Sequence, residues 1–248
     1  MQYCIAIMDL QYGGSESILT TVFGIGPKKA ADLEANGMKT IDDLRANQQL
    51  LTGAQRAGLE HYEDIMERIP RAEIDEYHAV IMSAFDHVRR VNKEDGEAKI
   101  VGSYRRGKSD SGDVDVIVAT ETRATFQDFI SKLVNDGIVT EVLSRGPTKS
   151  LVIAKLAPER KARRVDFLYS PADEYPFATL YFTGSKDLNT QMRIRALRKG
   201  YSLNEHGLYK KEKGEERDTE KIPDAFPDEE SIFAFLGMKY LLPDQRDA

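Results

Sequence analysis

The stretch GSYRRGKSDSGDVDVIV, residues 102–118, places Asp113 and Asp115 at the start of an apolar run, directly after a turn rich in glycine and arginine. Side chains of a strand alternate between its two faces, so these carboxylates project from one face and Val114 and Val116 from the other. Like charges this close raise each other's pKa unless a cation compensates them, and Mg²⁺ takes carboxylates together with waters and substrate phosphates. The pair therefore predicts a metal site.

The turn before the two aspartates is suited to an anion. Arg105, Arg106 and Lys108 crowd it, and Gly112 stands directly before the acids. Glycines let backbone N–H groups approach phosphate oxygens, the Ser103 hydroxyl adds a donor, and an arginine adds a planar charged fork. A lone pair of alternating aspartates is more typical of a solvated strand end, but the preceding turn favours adjacent phosphate and metal sites.

The order GS, RRG and GDVDV at this spacing resembles the signature of the nucleotidyltransferase superfamily built around DNA polymerase β. That resemblance implies one more acid on a neighbouring strand. Asp166 supplies it within the strand-like segment RVDFLY, where basic residues precede it. Such an acid is by itself an ordinary strand residue, and only its combination with Asp113 and Asp115 indicates a site.

Composition is that of a folded, water-soluble chain. Its 248 residues are 41% hydrophobic and 31% charged, enough for a full core and more than one subdomain. The single cysteine, Cys4, excludes an internal disulfide and a cysteine-clustered zinc site. The apolar CIAIM near the start is too short to span a membrane and lacks a signal-peptide pattern. We therefore expect an intracellular chain with no membrane partner, nuclear only if its source is a eukaryote.

Charge is segregated along the chain. A net charge of −6 and a pI near 5.4 argue mildly against a nucleic-acid partner. Residues 210–248 carry eleven acids against seven bases, whereas residues 186–200 carry a single acid. A basic helix is most often a solvated face, but this one follows the aromatic YFTGS segment, which favours a phosphodiester partner. Its cations are Lys186, Arg193, Arg195, Arg198 and Lys199.

A second signal lies near the N-terminus, in ILTTVFGIGPKKAADL. Pro27 suits the first turn of a helix, and Gly24 and Gly26 let the backbone bend so that N–H groups face a phosphate. With Lys28 and Lys29 close by, GIGPKKA resembles a helix-hairpin-helix motif that grips DNA independently of sequence. A glycine turn before a helix is common, so the motif carries weight only beside the nucleotidyltransferase signature.

We predict an α+β fold. A helical helix-hairpin-helix domain precedes a nucleotidyltransferase palm with a mixed β-sheet, and a small α/β C-terminal subdomain selects the nucleotide. The boundaries are 1–16 for an N-terminal segment of uncertain structure, 17–92 for the helical domain, 93–172 for the palm and 173–248 for the C-terminal subdomain. Helices are predicted over 27–36, 40–46, 52–69, 71–91, 123–136, 174–183, 187–199 and 228–236, and strands over 97–102, 113–119, 139–144, 150–156, 163–169 and parts of 201–209.

From about Ser17 to Arg246 the chain resembles a family X DNA polymerase of the β and λ type. The resemblance rests on motifs in the same order: GIGPKKA, HYEDIMERIPRAE, GSYRRGKSDSGDVDV, RRVDF, LYFTGS followed by N and MR, and IFAFLGMKYLLP. It implies that Asp113 and Asp115 bind two Mg²⁺ ions, with Mn²⁺ as the alternative, and that Asp166 binds the catalytic one. The β and γ phosphates of an incoming dNTP would be held by Ser103, Arg106, the Gly112 N–H and, at a greater distance, Arg68.

The resemblance also implies residues that contact the nucleotide and DNA. Tyr181 and Phe182 would lie under the sugar, where Gly184 permits close approach, although core packing of an aromatic-rich helix is the alternative for both rings. Asn189 would hydrogen-bond the base or primer terminus in the minor groove. Arg193 would contact the templating strand.

The resemblance also implies a role for one more arginine and a binding site for a monovalent cation. Arg164 would position the third acid and approach the primer phosphate. Backbone carbonyls of the hairpin would hold Na⁺ or K⁺ shared with DNA; the matching residues are Thr20, Val22 and Ile25.

The implied activity is template-directed addition of dNMP to a primer 3′-hydroxyl on gapped or primer-template DNA, by a monomer, as in short-gap repair. No candidate lyase domain precedes Ser17, so we expect no 5′-deoxyribose phosphate lyase activity. The connection at 144–149 is short, whereas template-independent relatives carry a longer loop there, which favours templated synthesis. Two alternatives stay open: a terminal-type nucleotidyltransferase, and an idle DNA-end-binding protein, against which the intact set of acids counts.

Overall fold

The computed structural model describes residues 17–211, 220–223 and 226–247. The expected N-terminal segment, 1–16, lies outside the described residues. The chain divides into two compact units between Tyr62 and Glu63.

The first unit is built from short helices, and two of them start with a capping box. The side-chain hydroxyls of Thr40 and Thr52 accept hydrogen bonds from the backbone N–H groups of Asp43 and Gln55, respectively. In return, the side chains of Asp43 and Gln55 accept hydrogen bonds from the backbone N–H groups of the two threonines. Leu19, Leu44 and Leu59 lie in the apolar core of this unit. Its helices are a 3₁₀ helix Ile18–Thr21, α1 (Pro27–Ala35), α2 (Ile41–Ala46), a 3₁₀ turn Gln48–Leu50 and α3 (Gly53–Glu60).

The prediction of one continuous helix over 52–69 is wrong. The chain forms α3, then α4 (Tyr62–Met66) and the two-residue strand β1 (Ile69–Pro70). α3 ends at His61, whose φ and ψ of −100° and 19° leave the helical region. Pro70 disfavours helical backbone at the residue before it, so Ile69 is extended.

A five-stranded mixed sheet forms the centre of the second unit. Strands of this unit are β2 (Gly96–Ile100), β3 (Asp110–Ser111), β4 (Val114–Thr120), β5 (Val139–Arg145), β6 (Lys149–Ala154) and β7 (Arg163–Tyr169). The sheet order is β2-β4-β7-β6-β5, with β4 and β7 parallel and the other neighbours antiparallel. β3 pairs with β1 in a separate antiparallel ribbon. The mixed sheet with its helices confirms the predicted α+β class.

Helices pack on both faces of this sheet. They are α5 (Arg71–Asn92), α6 (Gly102–Arg105), α7 (Arg123–Asn135) and α8 (Tyr175–Thr183). On one face Phe85 of α5, Phe129 of α7 and Phe167 of β7 meet edge to face, with ring centroids 5.5 Å apart. On the other face α8 packs over Ile117. α5, which the predicted division at residue 92 assigns to the helical domain, thus buries its apolar stripe against the sheet.

The C-terminal part of the second unit has its own apolar core. Phe177 and Leu180 of α8 pack there with Met192 and Phe233. The elements are α9 (Lys186–Arg198), the antiparallel strands β8 (Tyr201–Asn204), β9 (Gly207–Lys210) and β10 (Glu220–Lys221), α10 (Glu229–Phe235) and a 3₁₀ turn Pro243–Gln245. Within the described parts of the chain, no helix has the length and apolar character needed to cross a bilayer.

Candidate active site

The parallel strands β4 and β7 align two of the predicted acids. Asp115 is opposite Asp166 in this pair, so both side chains project from the same face of the sheet. β4 begins at Val114 rather than at the predicted residue 113, which leaves Asp113 directly before the strand. The charge of Asp113 nevertheless acts on Asp115. Asp113, Asp115 and Asp166 therefore meet, and we name them the acid cluster.

Two cations border the acid cluster. Arg164 donates from Nη2 to Oδ2 of Asp113 at 2.8 Å, and the same nitrogen lies 3.9 Å from Oδ2 of Asp166. Nζ of Lys149 lies 3.8 Å from that Asp166 oxygen. Lys149 is absent from the sequence-based predictions because its approach depends on the β6–β7 register, in which it is opposite Leu168. Arg164 lies where the resemblance implies, beside the third acid.

Burial and neighbouring negative charge raise the pKa values of two members of the acid cluster, Asp115 and Asp166. Burial, followed by the charges of Asp113 and Asp166, raises the pKa of Asp115 to about 8. Burial also raises the pKa of Asp166, although Arg164 and Lys149 oppose this. Arg164 and Lys149 thus do not fully offset the effects of burial and of the neighbouring aspartates, which disfavour ionisation of Asp115 and Asp166.

One oxygen of the acid cluster has no partner. Oδ1 of Asp166 is buried and makes no hydrogen bond among the described residues. Such an oxygen fits a cation, and hard carboxylate ligands suit Mg²⁺. In the described ranges, no three acidic, histidine or cysteine side chains are arranged to hold a metal by themselves.

Gly102 brings the preceding turn against the acid cluster. The predicted strand 97–102 ends at Ile100, because Gly102 has a φ of +62° and starts the short helix α6. A Cβ atom at this position would lie 2.5 Å from Oδ2 of Asp115. Both the positive φ and this close approach require glycine.

The turn over residues 102–112, named here the phosphate turn, gathers several predicted phosphate ligands. Ser103 donates from Oγ to Oγ of Ser111 at 2.7 Å, which places a buried serine beside it. The β1–β3 pairing brings Arg68 to the turn, with Nη1 3.9 Å from where a Cβ of Gly112 would lie. Arg68 forms an ion pair with Asp110. Ser111 was not predicted as a site residue, although its place before Gly112 is a usable signal.

Arg106 makes contacts that the sequence did not indicate. Its Nε donates to Oδ1 of Asp247 at 2.7 Å and its Nη1 to the carbonyl of Thr183 at 2.7 Å. Nζ of Lys108 lies 2.9 Å from Oδ2 of Asp247. Nη1 of Arg106 also lies 3.3 Å from where a Cβ of Gly184 would be. The end of α8 therefore lies directly against the phosphate turn.

The predicted nucleotide-edge residues lie together on α8 and α9. The rings of Tyr181 and Phe182 meet edge to face at 4.9 Å. Asn189 donates from Nδ2 to the Tyr181 carbonyl at 2.8 Å. Arg193 stacks over the Tyr181 ring at 4.9 Å and lies 3.9 Å from Glu205. Phe182 also packs against the apolar cluster beneath α8, so its packing alternative has direct support.

A buried ion network fixes the phosphate turn to α10. Arg105 donates from Nη1 and Nη2 to the two carboxylate oxygens of Glu229 at 2.9 and 2.6 Å. Arg246 donates from Nη1 to Oε1 of Glu229 at 2.6 Å. Burial by itself raises the pKa of Glu229, but these hydrogen bonds outweigh it and hold that pKa below its usual range. We name Arg105, Glu229 and Arg246 the Glu229 network.

The predicted hairpin forms in the first unit. Gly24 has a φ of +78°, and its carbonyl accepts a hydrogen bond from Nε2 of Gln55 at 2.7 Å. Gly26 precedes α1 and gives it no side-chain cap, so the N–H groups of the first turn can face an anion. Lys28 is exposed and Lys29 half-buried at this turn.

The predicted cation-binding carbonyls lie in the same hairpin. The carbonyl of Val22 accepts the Ile25 N–H at 3.0 Å, and the side chains of both residues are buried. Thr20 donates from its hydroxyl to the Ser17 carbonyl at 2.7 Å. Cation binding by Thr20, Val22 and Ile25 stays a prediction.

The chain is similar in sequence to several known proteins. The chain is 31% identical to DNA polymerase lambda of Arabidopsis thaliana over 253 residues, covering 93% of this chain and 46% of that protein. It is 29% identical to human DNA-directed DNA/RNA polymerase mu, covering 93% of this chain and 52% of the relative. Rat DNA polymerase lambda is 31% identical, and the match covers 93% of this chain and 42% of the rat protein. The chain thus spans about half the length of the relatives it matches.

Family models match consecutive parts of the chain. The fingers domain of DNA polymerase lambda matches residues 17–66, the palm of DNA polymerase beta 68–172, and the thumb of DNA polymerase beta 178–247. The acid cluster and the phosphate turn fall within the palm match. With fingers, palm and thumb in this order, the chain belongs to family X of the DNA polymerases, the family of the β and λ enzymes.

Proposed function

We propose that this chain catalyses template-directed addition of dNMP to a primer 3′-hydroxyl on gapped or primer-template DNA. The observation that carries the proposal is the β4–β7 register, which aligns Asp115 with Asp166 beside Asp113. Family membership supports the same activity, since the similar proteins are named as DNA polymerases. Filling of short gaps during repair is the role that we propose for it.

The acid cluster would hold two Mg²⁺ ions, with Mn²⁺ as the alternative. When bound, these ions would activate the primer hydroxyl and neutralise charge on the triphosphate. Support comes from the unpartnered Oδ1 of Asp166 and from the raised pKa of Asp115. The raised pKa of Asp166 also suits that carboxylate to accept the proton of the 3′-hydroxyl.

The phosphate turn would bind the triphosphate. Ser103, Ser111 and the Gly112 N–H offer neutral donors close to the acid cluster, and Arg68 and Arg106 offer charged ones. Their support is the Ser103–Ser111 hydrogen bond and the approach of Arg68 to Gly112. Held there, the triphosphate would present its reacting phosphorus next to the acids.

The α8–α9 region would select the nucleotide and contact DNA. Tyr181 and Phe182 would lie under the sugar, with Gly184 allowing close approach. Asn189, held by the Tyr181 carbonyl, would reach the minor-groove edge, and Arg193 the templating strand. Arg164, next to the acid cluster, would approach the primer phosphate and position Asp166.

The hairpin of the first unit would grip the DNA backbone. Its support is the uncapped start of α1 with Lys28 and Lys29 beside it. Because such contacts go to phosphates, binding would weaken steeply with salt and show little sequence preference. A Na⁺ or K⁺ ion on the hairpin carbonyls would join this contact.

Primer extension on a one-nucleotide gap, with Mg²⁺ and four dNTPs, tests the proposed activity. We expect insertion of the complementary nucleotide alone, because the β5–β6 connection is only residues 146–148 and offers no long loop to replace a template. Asp166→Ala should abolish insertion. Glu141→Ala removes an exposed carboxylate from β5 and should leave it unchanged.

Other outcomes would contradict the proposal. Addition without a template would place the chain with terminal-type transferases. If the wild-type protein bound DNA but added no nucleotide, it would be an idle DNA-end-binding protein. Equal activity of Asp166→Ala and wild type would show that the acid cluster takes no part in catalysis.

A further inference from the structure

The carboxylate of Asp247 forms ion pairs with two cationic side chains of the phosphate turn. Its Oδ1 accepts from Nε of Arg106 at 2.7 Å, and its Oδ2 lies 2.9 Å from Nζ of Lys108. Burial by itself raises the pKa of Asp247, but hydrogen bonds from Lys108 and Arg106 hold that pKa below its usual range. Asp247 is therefore ionised at neutral pH and offers these cations oxygens of the kind that a phosphate offers.

The residue before Asp247 fixes its position. Arg246 is 1% exposed, with its Nη1 on Glu229 and its Nε on the carbonyl of Leu241 at 3.0 Å. Ser185 donates from Oγ to the Arg246 carbonyl at 2.6 Å. Because both the side chain and the backbone of Arg246 are held, the backbone of Asp247 is fixed beside the two cations, and its carboxylate leaves them only by rotation of the side chain. Its ion pairs are thus part of the packed structure.

Two of the five N–H donors of Arg106 are engaged in contacts within the protein. Its Nη1 is directed at the Thr183 carbonyl and its Nε at Asp247. A phosphate oxygen that approached Nε would meet the carboxylate, and two anions at this distance repel each other. A phosphate that binds Arg106 therefore either displaces Asp247 from Nε or binds the remaining N–H groups against the repulsion of the Asp247 carboxylate.

We propose that Asp247 competes with the nucleotide triphosphate for Arg106 and Lys108 and thereby lowers the nucleotide affinity of the site. The inference rests on the proposed function, since it assumes that the phosphate turn binds a triphosphate. Without nucleotide, the carboxylate relieves the repulsion between the two cations. With nucleotide, the triphosphate replaces it.

Titration calorimetry of dATP in the presence of Mg²⁺ and without DNA tests this competition, since no nucleotide is consumed. Asp247→Asn keeps the shape of the side chain and removes its charge. We expect it to bind dATP about three- to tenfold more tightly than wild type, the range for loss of a partly exposed ion pair. Inorganic tripolyphosphate should show the same change, because the competition concerns phosphate alone.

Asp244→Asn is the matched control. It makes the same change in net charge at an exposed residue that forms no ion pair within the described ranges. Its affinity for dATP should equal that of wild type. Asp247→Glu, which keeps the carboxylate, should bind more weakly than Asp247→Asn.

Two results would overturn the inference. Unchanged or weaker binding by Asp247→Asn would show that Asp247 orients Arg106 instead of competing at it. If Asp244→Asn increased the affinity for dATP by the same factor, the effect would be due to the change in net charge and not to the position of Asp247. Both results are read without primer extension, so they are distinct from a failure of the proposed polymerase activity. If dATP and tripolyphosphate did not bind to wild type at all, the inference would fail, whereas the proposed polymerase activity would still be decided by primer extension on gapped DNA.

Discussion

The acid cluster and the Glu229 network are both buried groups of charges, yet their carboxylates respond in opposite ways. Glu229 has an arginine on each side, and its pKa is held below the usual range. Asp115 has two other aspartates near it, and its pKa is raised to about 8. Burial opposes ionisation at both sites, so the neighbours decide the direction.

This difference separates a structural site from a reactive one. The Glu229 network satisfies its carboxylate with hydrogen bonds from Arg105 and Arg246 and joins the phosphate turn to α10. The acid cluster keeps a buried oxygen without a partner, and neighbouring aspartates raise the pKa of its Asp115. The first group is complete in the protein alone, whereas the second is completed by ligands. Opposite responses to substitution should follow.

Neutralising Asp115 should give the largest effect. We expect Asp115→Asn to slow gap filling about 10³-fold, equivalent to ~4 kcal/mol of lost metal-dependent stabilisation. The same change should raise the free energy of unfolding without divalent ions by at least ~1 kcal/mol at neutral pH, because folding then no longer has to keep a carboxyl protonated well above its unfolded-state pKa. Single-turnover extension and denaturant unfolding in EDTA measure the two effects. Loss of stability together with activity would mean that Asp115 is a structural residue.

Neutralising Glu229 should act in the opposite direction on stability. Glu229→Gln leaves Arg246 buried without its counterion, and we expect the free energy of unfolding to fall by about 3 kcal/mol. Denaturant unfolding at neutral pH measures this loss. Glu230→Gln, the neighbouring exposed residue on α10, is the control and should change little. If Glu229→Gln left the free energy of unfolding unchanged, the Glu229 network would not be the stabilising site that distinguishes it from the acid cluster.

The two sites should also differ in their pH dependence. Glu229 has a lowered folded-state pKa, so its stabilising contribution is present above the unfolded-state pKa and is lost as the pH falls through the folded-state value. Asp115 has a folded-state pKa raised from 3.8 to about 8, so wild type loses stability as the pH rises between these values. The stability advantage of Asp115→Asn without metal should therefore grow from about pH 5 to pH 8, measured by unfolding at each pH. A constant difference would contradict the raised pKa.

Divalent ions should give the smallest effect. Adding about 10 mM MgCl₂ should raise the Tm of wild type by about 2–4 °C, because the ion binds the folded acid cluster and not the unfolded chain. Glu229→Gln should respond to the same extent, and Asp115→Asn should respond much less. Differential scanning fluorimetry measures all three proteins. An equal response of Asp115→Asn would indicate ion binding elsewhere.

Local patterns in the sequence predicted most helices and strands and singled out Asp113 and Asp115, whereas Asp166 was indicated only by the resemblance to a known family. The spacing of Asp113 and Asp115 follows from strand alternation, and the mixed helices and strands follow from periodicity. Lys149, Glu229 and Asp247 were not predicted, since each reaches the site through tertiary contacts distant in sequence. Their roles depend on strand register and on the course of the C-terminal segment, which no local pattern specifies.

Where local prediction failed, specific residues explain the difference. The break after α3 lies at His61, and the extended Ile69 precedes Pro70. Strand β2 ends early because Gly102 adopts a positive φ that brings it against Asp115. At Gly102 the departure from regular structure coincides with the candidate site.

The parallel register of β4 and β7 also has a consequence for folding. The register that places Asp115 opposite Asp166 places Val116 opposite Phe167 in the apolar core. A slip of one residue would turn Asp166 toward the core and Phe167 toward solvent. Misregistered chains would therefore lose the core and the acid cluster together. Because these strands are distant in sequence, their pairing is a slow step, and activity during refolding should return only as the core closes.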